Sequence, residues 1–238
     1  MTWKLNDLGV RLYAGWGMPH DYLWFSSTES AQVSTTFALL HGYALTLSLS
    51  QRSWACAPDA PDYERDLAPC AYYALPAAWT DASRVRITQN ALDDRTHRTD
   101  SGKGNTPSLS FRVCVAPAPR ALRPNAGFRV FTFAFGGEGP PPGVTRIGKK
   151  GCAMRWRWAE VADPIARVAT EPFRPSHPVN PLDLSRDDSA VSCQPVSLPP
   201  HMLYQLAELR NEPVVRFDRD TVHVPAPVLR RAGVASAR

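Results

Sequence analysis

The sequence predicts an α+β fold in which strands outnumber helices, and two observations carry this prediction. The first is alternation. Leu109–Val115 places large apolar residues at every second position, and Met154, Trp156 and Trp158 alternate with arginines, as in a half-buried strand. The second is composition, because 23 prolines stand against 14 glycines in 238 residues, and proline breaks helix interiors. We therefore expect extended and turning backbone with few long helices.

Shorter patterns predict the remaining strands and loops. Strands are expected at residues 3–13, 84–88, 128–135, 214–217 and 221–224, of which the last two form a hairpin. Loops are expected at residues 14–25, which are rich in aromatics and glycine, and at residues 136–151, which are rich in glycine and proline. Eight prolines lie between Pro164 and Pro200, which predicts an extended segment draped over the body.

Two helices are predicted. The first rests on five apolar residues at spacings of four and three, which would share one helical face: Val33, Phe37, Leu40, Ala44 and Leu47. The C-terminal half of that segment also has the β-branched residues of a strand. The second helix is expected to begin near Pro200, since proline suits the first helical turn, and to carry Met202, Leu203, Leu206 and Leu209.

Composition and charge exclude several classes of protein. Hydrophobic residues make up 44% and charged residues 21% of the chain, which is a globular composition. Five widely spaced cysteines without a CxxC pair argue against a disulfide framework and a zinc site. Residues 1–10 lack a signal-peptide core, and the longest uncharged run, residues 30–51, is too polar to span a membrane. We therefore expect a cytoplasmic protein without cofactor, metal or membrane segment.

The strongest local signal is a basic segment at residues 139–159, which contains no acidic residue. Its candidate RNA-binding residues are Arg146, Gly148, Lys149, Lys150, Arg155 and Arg157. Glycines on both sides of the lysine pair would let the backbone approach a phosphate, and the two arginines of the following strand would share one face. Positive charge, exposed amides and nearby tryptophans suit a single-stranded nucleic-acid groove. The alternative is a basic turn and a strand whose arginines are only solvated.

A second basic feature is the polar stretch at residues 90–107. It carries Arg95, Arg98 and Lys103 but only one large aliphatic residue, Leu92, so it predicts an exposed loop or hairpin tip. The three basic residues are candidates for RNA binding by a finger that orders on RNA. The alternative is an ordinary solvated loop, since three aspartates keep its net charge small.

Signals for catalysis are weak. The six histidines are scattered, and neither an HExxH motif, a GxSxG elbow nor a P-loop is present, so no catalytic or metal-binding residue is assigned. His41 lies in the first predicted helix and fits a core histidine. His97 stands beside Arg95 and Arg98 and could serve acid–base RNA cleavage, although any polar loop supplies such neighbours.

Four short segments, in order, resemble one protein family. "RIGKKGCAMRW" at residues 146–156 resembles the "RLGKK" signature of the Csc-one branch of the Cas-five family, the small backbone subunit of type I-D CRISPR complexes. "FALLHGYALTLSL" is similar to that family's early helix, "LRPNAGFRVFTF" to its Pro-Gly-x-Phe strand entry, and "HPVNPLDL" to its Asn-Pro-Leu-Asp segment. "PNAGF" is looser than the usual Pro-Gly form, and the two chain ends match nothing.

The resemblance implies a fold and a role. The fold would be a ferredoxin-like (RRM-type) antiparallel sheet core at residues 1–162, with a thumb inserted near residues 84–108. Residues 163–238 would form a proline-rich extension with a C-terminal helix and hairpin packed on that core. The role would be a non-catalytic subunit that caps the 5′ handle of the crRNA and contacts the large subunit and the adjacent backbone subunit for target DNA binding.

Two other functions stay open at this point. One is a metal-independent CRISPR endoribonuclease that processes precursor crRNA with His97 or His41. The other is a protein-interaction module without RNA, in which the proline-rich segment binds a partner.

Overall fold

The computed structural model describes residues 1–30, 33–51, 62–90, 109–117, 127–148, 151–198 and 200–234. In chain order the strands are β1 (Thr2–Lys4), β2 (Val10–Pro19), β3 (Thr28–Ser30), β4 (Val33–Thr35), β5 (Leu39–Leu40), β6 (Tyr72–Ala74), β7 (Ala77–Ala78), β8 (Arg84–Asn90), β9 (Leu109–Val115), β10 (Phe128–Phe135), β11 (Val144–Ile147), β12 (Cys152–Glu160), β13 (Ile165–Ala169), β14 (Ala190–Val196), β15 (Leu203–Leu209), β16 (Glu212–Phe217) and β17 (Asp220–His223). The helices are α1 (Gly42–Leu49), α2 (Tyr63–Leu67) and α3 (Ala226–Arg231), with 3₁₀ turns at Asn6–Leu8 and Pro181–Asp183.

The main sheet is antiparallel and has the order β11-β12-β2-β10-β7-β5, with β6 also paired to β10. Its central strand, β2, contains two glycines, which leave room for the tryptophan rings of β12 that lie over them. A Cβ on Gly15 would come within 2.3 Å of the Trp158 ring, and one on Gly17 within 2.0 Å of the Trp156 ring. Glycine therefore serves close packing here and does not mark a loop.

One face of the main sheet packs against α1. This apolar cluster includes Phe128, Val130, Met154 and Trp156 together with Leu45 and Leu49 of the helix. The helix begins at His41, whose Nδ1 accepts a hydrogen bond from the Tyr43 backbone N–H at 3.2 Å. A side-chain acceptor at this position satisfies a donor of the first helical turn.

The opposite face packs against a second sheet of order β1-β13-β16-β17. Leu12, Phe131 and Phe133 of the main sheet meet Val215 and Val222 of the second sheet in one buried cluster. Because β1 pairs with β13, residues from both ends of the chain share this sheet. The division at residue 162 stays a prediction.

A third sheet, β3-β4-β9-β8, contains the antiparallel β8–β9 pair. The register runs from Arg84 opposite Val115 to Asn90 opposite Leu109. The predicted thumb tip joins these two strands and lies outside the described residues.

Several predicted elements are confirmed. Strands β9 and β10 match their predicted bounds, β8 and β12 extend the strands predicted at 84–88 and 154–158, and β16 and β17 form the predicted hairpin. The overall composition of elements, mostly antiparallel strands with few helices, is consistent with α+β. The ferredoxin-like core is not confirmed. In the described residues the main sheet has α1 on one face, and on the other face a second sheet together with residues of α2 and α3.

Five predictions are wrong in detail. The first predicted strand is broken by a 3₁₀ turn at Asn6–Leu8, and the loop predicted at 14–25 instead begins with the second half of β2. The helix predicted from Val33 is confined to Gly42–Leu49, with β4 and β5 before it, because strand pairing outweighs an apolar spacing that suits either structure. The loop predicted at 136–151 contains β11.

The helix predicted near Pro200 is the fifth. Those residues form β15, which pairs with β14. Leu203, Ala207 and Leu209 are buried, but Leu206 is 79% exposed and has a φ of 48°. The leucine spacing fits a helix, but these residues form a strand, and an irregularity in its pairing turns Leu206 outward.

Candidate nucleic-acid interface

Arginines from three strands of the main sheet share one of its faces. Residues paired across antiparallel strands lie on the same face, as do alternate residues of one strand. Arg157 of β12 and Arg129 of β10 both pair with Trp16 of β2. Arg155 lies two residues from Arg157, and by register Arg146 of β11 lies on this face too. We call this surface the arginine face; its members are Trp16, Met18, Arg129, Arg146, Arg155 and Arg157.

The sequence-predicted residues of this face are exposed. Arg146, Arg155 and Arg157 present exposed side chains, while Trp16 is half-buried between two of the strands that carry arginines. The predicted sharing of one face by Arg155 and Arg157 is confirmed. The structure therefore brings Arg146, Arg155 and Arg157 together on one accessible surface.

Arg129 and Trp16 were missed by sequence reasoning. The Arg129 guanidinium carbon lies 4.8 Å from the centroid of the Trp16 ring, and its Nη2 donates to the Asp220 carboxylate in an ion pair. A guanidinium over an aromatic ring is a favourable cation–π arrangement. The signal in the sequence is an arginine within a strand whose other residues, apart from Thr132, are apolar, and the contact itself spans more than a hundred residues of chain.

The other side of β12 anchors the strand. Trp156 and Trp158 stack with ring centroids 5.5 Å apart. Their indole N–H groups donate to Thr145 Oγ1 at 2.8 Å and to the Pro142 carbonyl at 3.1 Å. Of the tryptophans near the basic segment, Trp156 is only 4% exposed. These two rings fix β12 in place, so its arginines point outward from a rigid strand.

The turn between β11 and β12 is closed by its own glycines. The Gly151 N–H donates to the Gly148 carbonyl at 3.1 Å, and Arg146 Nη1 donates to the Gly151 carbonyl at 2.9 Å. Gly148 has a φ of 79°, and a Cβ there would lie 2.7 Å from the Trp24 carbonyl oxygen. Gly148 is thus required by the turn itself, and Lys149 and Lys150 lie outside the described residues.

Two of the family-like segments position this hairpin and sheet. Ser48 of α1 donates through Oγ to the Arg146 carbonyl at 3.0 Å, so the helix of "FALLHGYALTLSL" supports β11. Gly127 of "LRPNAGFRVFTF" has a φ of 127°, and a Cβ there would lie 2.4 Å from the Gly17 carbonyl oxygen. A glycine is therefore needed where β10 enters the sheet.

The predicted thumb residues, Arg95, Arg98 and Lys103, lie outside the described residues. At the base of the same hairpin, Arg84 and Arg86 are two residues apart on β8 and both exposed. The base of the thumb therefore presents two cations that sequence reasoning did not single out.

His41 lies in a buried aromatic corner. It is 4% exposed, its ring stacks 6.0 Å from that of His201, and the Tyr63 hydroxyl lies 3.2 Å from its Nε2. Burial, with the neighbouring His201 charge, lowers the pKa of His41 to about 4. It is therefore neutral near pH 7, and its Nδ1 is already used to cap α1. His97 lies outside the described residues.

A second group of titratable residues lies under the C-terminal segment. We call it the buried network; its members are Tyr73, His177, Asp183, Ser185, Glu212 and His223. Glu212 Oε1 accepts from the Ser185 N–H at 2.9 Å and from its hydroxyl at 2.8 Å. Its Oε2 lies 3.0 Å from His223 Nε2. Both Glu212 and His223 are 0% exposed.

The "HPVNPLDL" segment contributes to this network. His177 Nε2 accepts from the His223 N–H at 3.3 Å, and the Tyr73 hydroxyl donates to Asp183 at 2.6 Å. Asn180 accepts from the Leu182 N–H at 3.2 Å and caps the 3₁₀ turn. Its polar residues therefore fasten the proline-rich chain to the body.

The pKa values of the network reflect its burial. Burial raises the pKa of Asp183 to about 6, against a partly opposing hydrogen bond from Tyr73. For Glu212, burial raises the pKa, but hydrogen bonding to His223 and its charge outweigh burial, so the pKa lies below its ordinary value. Burial also lowers the pKa of His177 to about 3.

The described residues contain neither a metal-binding cluster nor a membrane-spanning helix. No group of three or more His, Cys, Asp or Glu side chains in these ranges is placed to hold a metal ion. Among the same residues, no helix has the length and apolar character needed to cross a membrane.

Comparison with known proteins gives one informative match. No curated protein sequence matches the chain significantly. A chain in the cryo-EM structure of the Type III-B Cmr-beta bound to cognate target RNA and AMPPnP is similar, with a TM-score of 0.43 and 10% identity over 85% of this chain and 86% of that one. At that TM-score the likeness does not establish a shared fold or function. The family model of the type I-D CRISPR-associated protein Cas5/Csc1 matches residues 18–232. The chain belongs to the type I-D Cas5/Csc1 family.

Proposed function

We propose that this chain is a non-catalytic crRNA-binding subunit of a type I-D CRISPR surveillance complex, in which it caps the 5′ handle of the guide RNA. The arginine face is the observation that carries the proposal. Arg146, Arg155 and Arg157 are exposed on one sheet face, and Trp16 lies among them. Membership of the Cas5/Csc1 family supports the same role.

The geometry suits an extended single strand of RNA. Arg155 and Arg157 are alternate residues of β12, so their Cα atoms lie about 7 Å apart along the strand, a spacing close to that of successive phosphates in an extended chain. Guanidinium groups bind phosphates in pairs of hydrogen bonds, and an aromatic ring beside them offers a base a stacking surface. Lys149 and Lys150 would extend the phosphate contacts beyond Arg146, at the turn of the hairpin.

The partners of the complex follow from the same assignment. We propose contacts with the large subunit and the adjacent backbone subunit, and with target DNA inside the complex. The thumb would approach RNA through Arg95, Arg98 and Lys103, continuing from Arg84 and Arg86 at its base.

The absence of catalysis is part of the proposal. His41 caps α1 through Nδ1 and is 4% exposed, which suits a structural role better than proton transfer to RNA. A guide-RNA complex leaves target choice to base pairing, so this subunit needs shape and phosphate contacts and no reactive site.

The test is binding of labelled precursor repeat RNA by the purified chain over a range of salt concentrations. Arg155→Ala with Arg157→Ala should weaken binding and lower the log–log salt slope by about 1.4, since each phosphate contact to single-stranded RNA contributes about 0.7. The control is Arg174→Ala with Arg210→Ala, two exposed arginines of the C-terminal segment, which should keep the wild-type slope.

Equal slopes for the folded sheet variant and the wild type would remove the arginine face from the RNA site. The same incubations report catalysis. Shortened RNA that forms with the wild type but not with the His41→Ala variant would favour the endoribonuclease function instead.

A further inference from the structure

A cleft of about 600 Å³ opens at one end of the arginine face, where the β16–β17 turn approaches the main sheet. Its chemically distinctive lining residues are Trp16, Arg129, Arg157, Glu160, Phe217 and Asp218. The volume falls in the range of small-molecule sites. It is therefore large enough for one nucleoside unit.

The aromatic part of the cleft is held in place before any ligand binds. Arg129 lies over Trp16 and is paired with Asp220 of β17. Phe217 of β16 meets Phe131 of the main sheet edge-on, with ring centroids 6.1 Å apart at 82°. These contacts fasten the C-terminal hairpin to the arginine face. Pre-organised aromatic surfaces bind an unpaired base with little further ordering.

The polar part of the cleft differs from the rest of the arginine face. Asp218 adds a carboxylate, which accepts hydrogen bonds only, to guanidinium groups, which donate only. Glu160 pairs with Tyr13 and its carboxylate lies 4.0 Å from Arg11 on the opposite face of the sheet. Asp218 is therefore the carboxylate that the cleft offers a ligand. Carboxylates repel phosphate, so this end of the face is suited to a base and not to the RNA backbone.

We propose that this cleft holds one unpaired guanine of RNA bound along the arginine face, an inference that rests on the proposed RNA-binding function. Guanine presents the acceptors O6 and N7 on one edge, which arginine donors recognise. Its N1–H and amino group are adjacent donors that one carboxylate accepts together. Uracil has no pair of adjacent donors and no N7, so the same cleft would leave a carboxylate without a partner.

The carboxylate variant is Asp218→Asn. Asp218 is in the β16–β17 turn with a φ of 48°, a conformation that asparagine also adopts readily. The substitution therefore removes the charge and keeps the turn. The matched control is Asp187→Asn, which makes the same charge change at an exposed position of the C-terminal segment.

The experiment compares two labelled ten-nucleotide RNAs by fluorescence anisotropy with the full chain: all uracil, and uracil with one central guanine. The guanine RNA should bind about tenfold more tightly, the discrimination of one well-formed base contact. Asp218→Asn should bring the affinity ratio close to one, and Asp187→Asn should keep it. Trp16→Ala should weaken binding of the guanine RNA by about tenfold, the effect of one stacked base, and Trp16→Tyr should restore it.

Equal, salt-dependent affinities for the two RNAs would overturn the guanine cleft and leave the proposed function standing. Failure of both RNAs to bind in a salt-dependent manner would overturn the proposed function, and the cleft with it. A guanine preference that survives in folded Asp218→Asn and Trp16→Ala proteins would place the base elsewhere and overturn the assignment of the cleft.

Discussion

The arginine face and the buried network both gather charged side chains, but they surround them with opposite environments. The charges of the buried network meet partners within the protein; Glu212, for instance, is 0% exposed and accepts hydrogen bonds from Ser185. On the arginine face, Arg155 and Arg157 are exposed beside an aromatic ring on a rigid strand. Removing one partner of a buried charge pair destabilises a protein, whereas cations gathered on an exposed face favour an anionic partner.

The largest expected effect is on stability, from the buried network. Glu212→Ala should lower the free energy of unfolding by about 3–5 kcal/mol, because it leaves the buried His223 and the partly buried Ser185 without their acceptor. Denaturant unfolding of the variant measures the change. The exposed Asp188→Ala should shift stability by less than about 0.5 kcal/mol. A small effect of Glu212→Ala would show that the buried carboxylate is not what holds the C-terminal segment.

A second prediction concerns the pH dependence of stability. Burial raises the pKa of Asp183 to about 6 from an ordinary 3.8, so the folded protein holds a proton there that the unfolded chain releases. The stability this proton contributes is complete below about pH 4 and is lost as pH rises through about 6.

Asp183→Asn removes that titration and keeps an oxygen that accepts from Tyr73. The stability of the variant relative to wild type should therefore rise by about 3 kcal/mol between pH 4 and pH 7.5. Parallel stability curves over this range would contradict the raised pKa. Asp187→Asn, at an exposed site, provides the control with a flat difference.

The third prediction concerns the lysine pair next to the arginine face, which should affect RNA binding and not stability. Lys149→Ala with Lys150→Ala should lower the salt slope of RNA binding by about 1.4 and leave the free energy of unfolding within about 0.5 kcal/mol of wild type. The measurements are filter binding at several salt concentrations and denaturant unfolding. If the variant loses stability but keeps its slope, the turn belongs to the body of the protein and not to the RNA site.

The smallest effect on stability is expected from the thumb. Replacing the loop at residues 90–105 by a short Gly-Ser linker should leave unfolding nearly unchanged, since that segment has almost nothing apolar to bury. It should nevertheless impair assembly or target binding by the complete complex. Limited proteolysis should cut the segment in the free chain and spare it once guide RNA and partners are added. Protection in the free chain would move the search for a thumb to residues 56–82.

Local patterns predicted individual strands well and their arrangement poorly. The alternation in β9, β10 and β12 identified three strands, and the shared face of Arg155 and Arg157 followed from it. The contact of Arg129 with Trp16 did not, because it depends on β2 lying between β10 and β12. Such pairings join distant parts of the chain and leave no local periodicity.

The errors come from residues whose type or spacing suits two different local structures. Gly15 and Gly17 suggested a loop, but they make room for tryptophan rings inside a strand. Leu203, Leu206 and Leu209 fit a helical spacing, while strand pairing turns only Leu206 outward. The approach of the C-terminal hairpin to the arginine face, through Asp220 and Arg129, had no signal in the sequence.

The most direct test of the central assignment is ultraviolet crosslinking of the assembled complex with its guide RNA, followed by mass spectrometry of the crosslinked peptides. We expect crosslinks on peptides from β2 and the β11–β12 hairpin, which carry Trp16 and residues 144–160. Crosslinks of this chain confined to residues 163–210, with β2 and β10–β12 free of RNA, would contradict the assignment of the arginine face as the guide-RNA site.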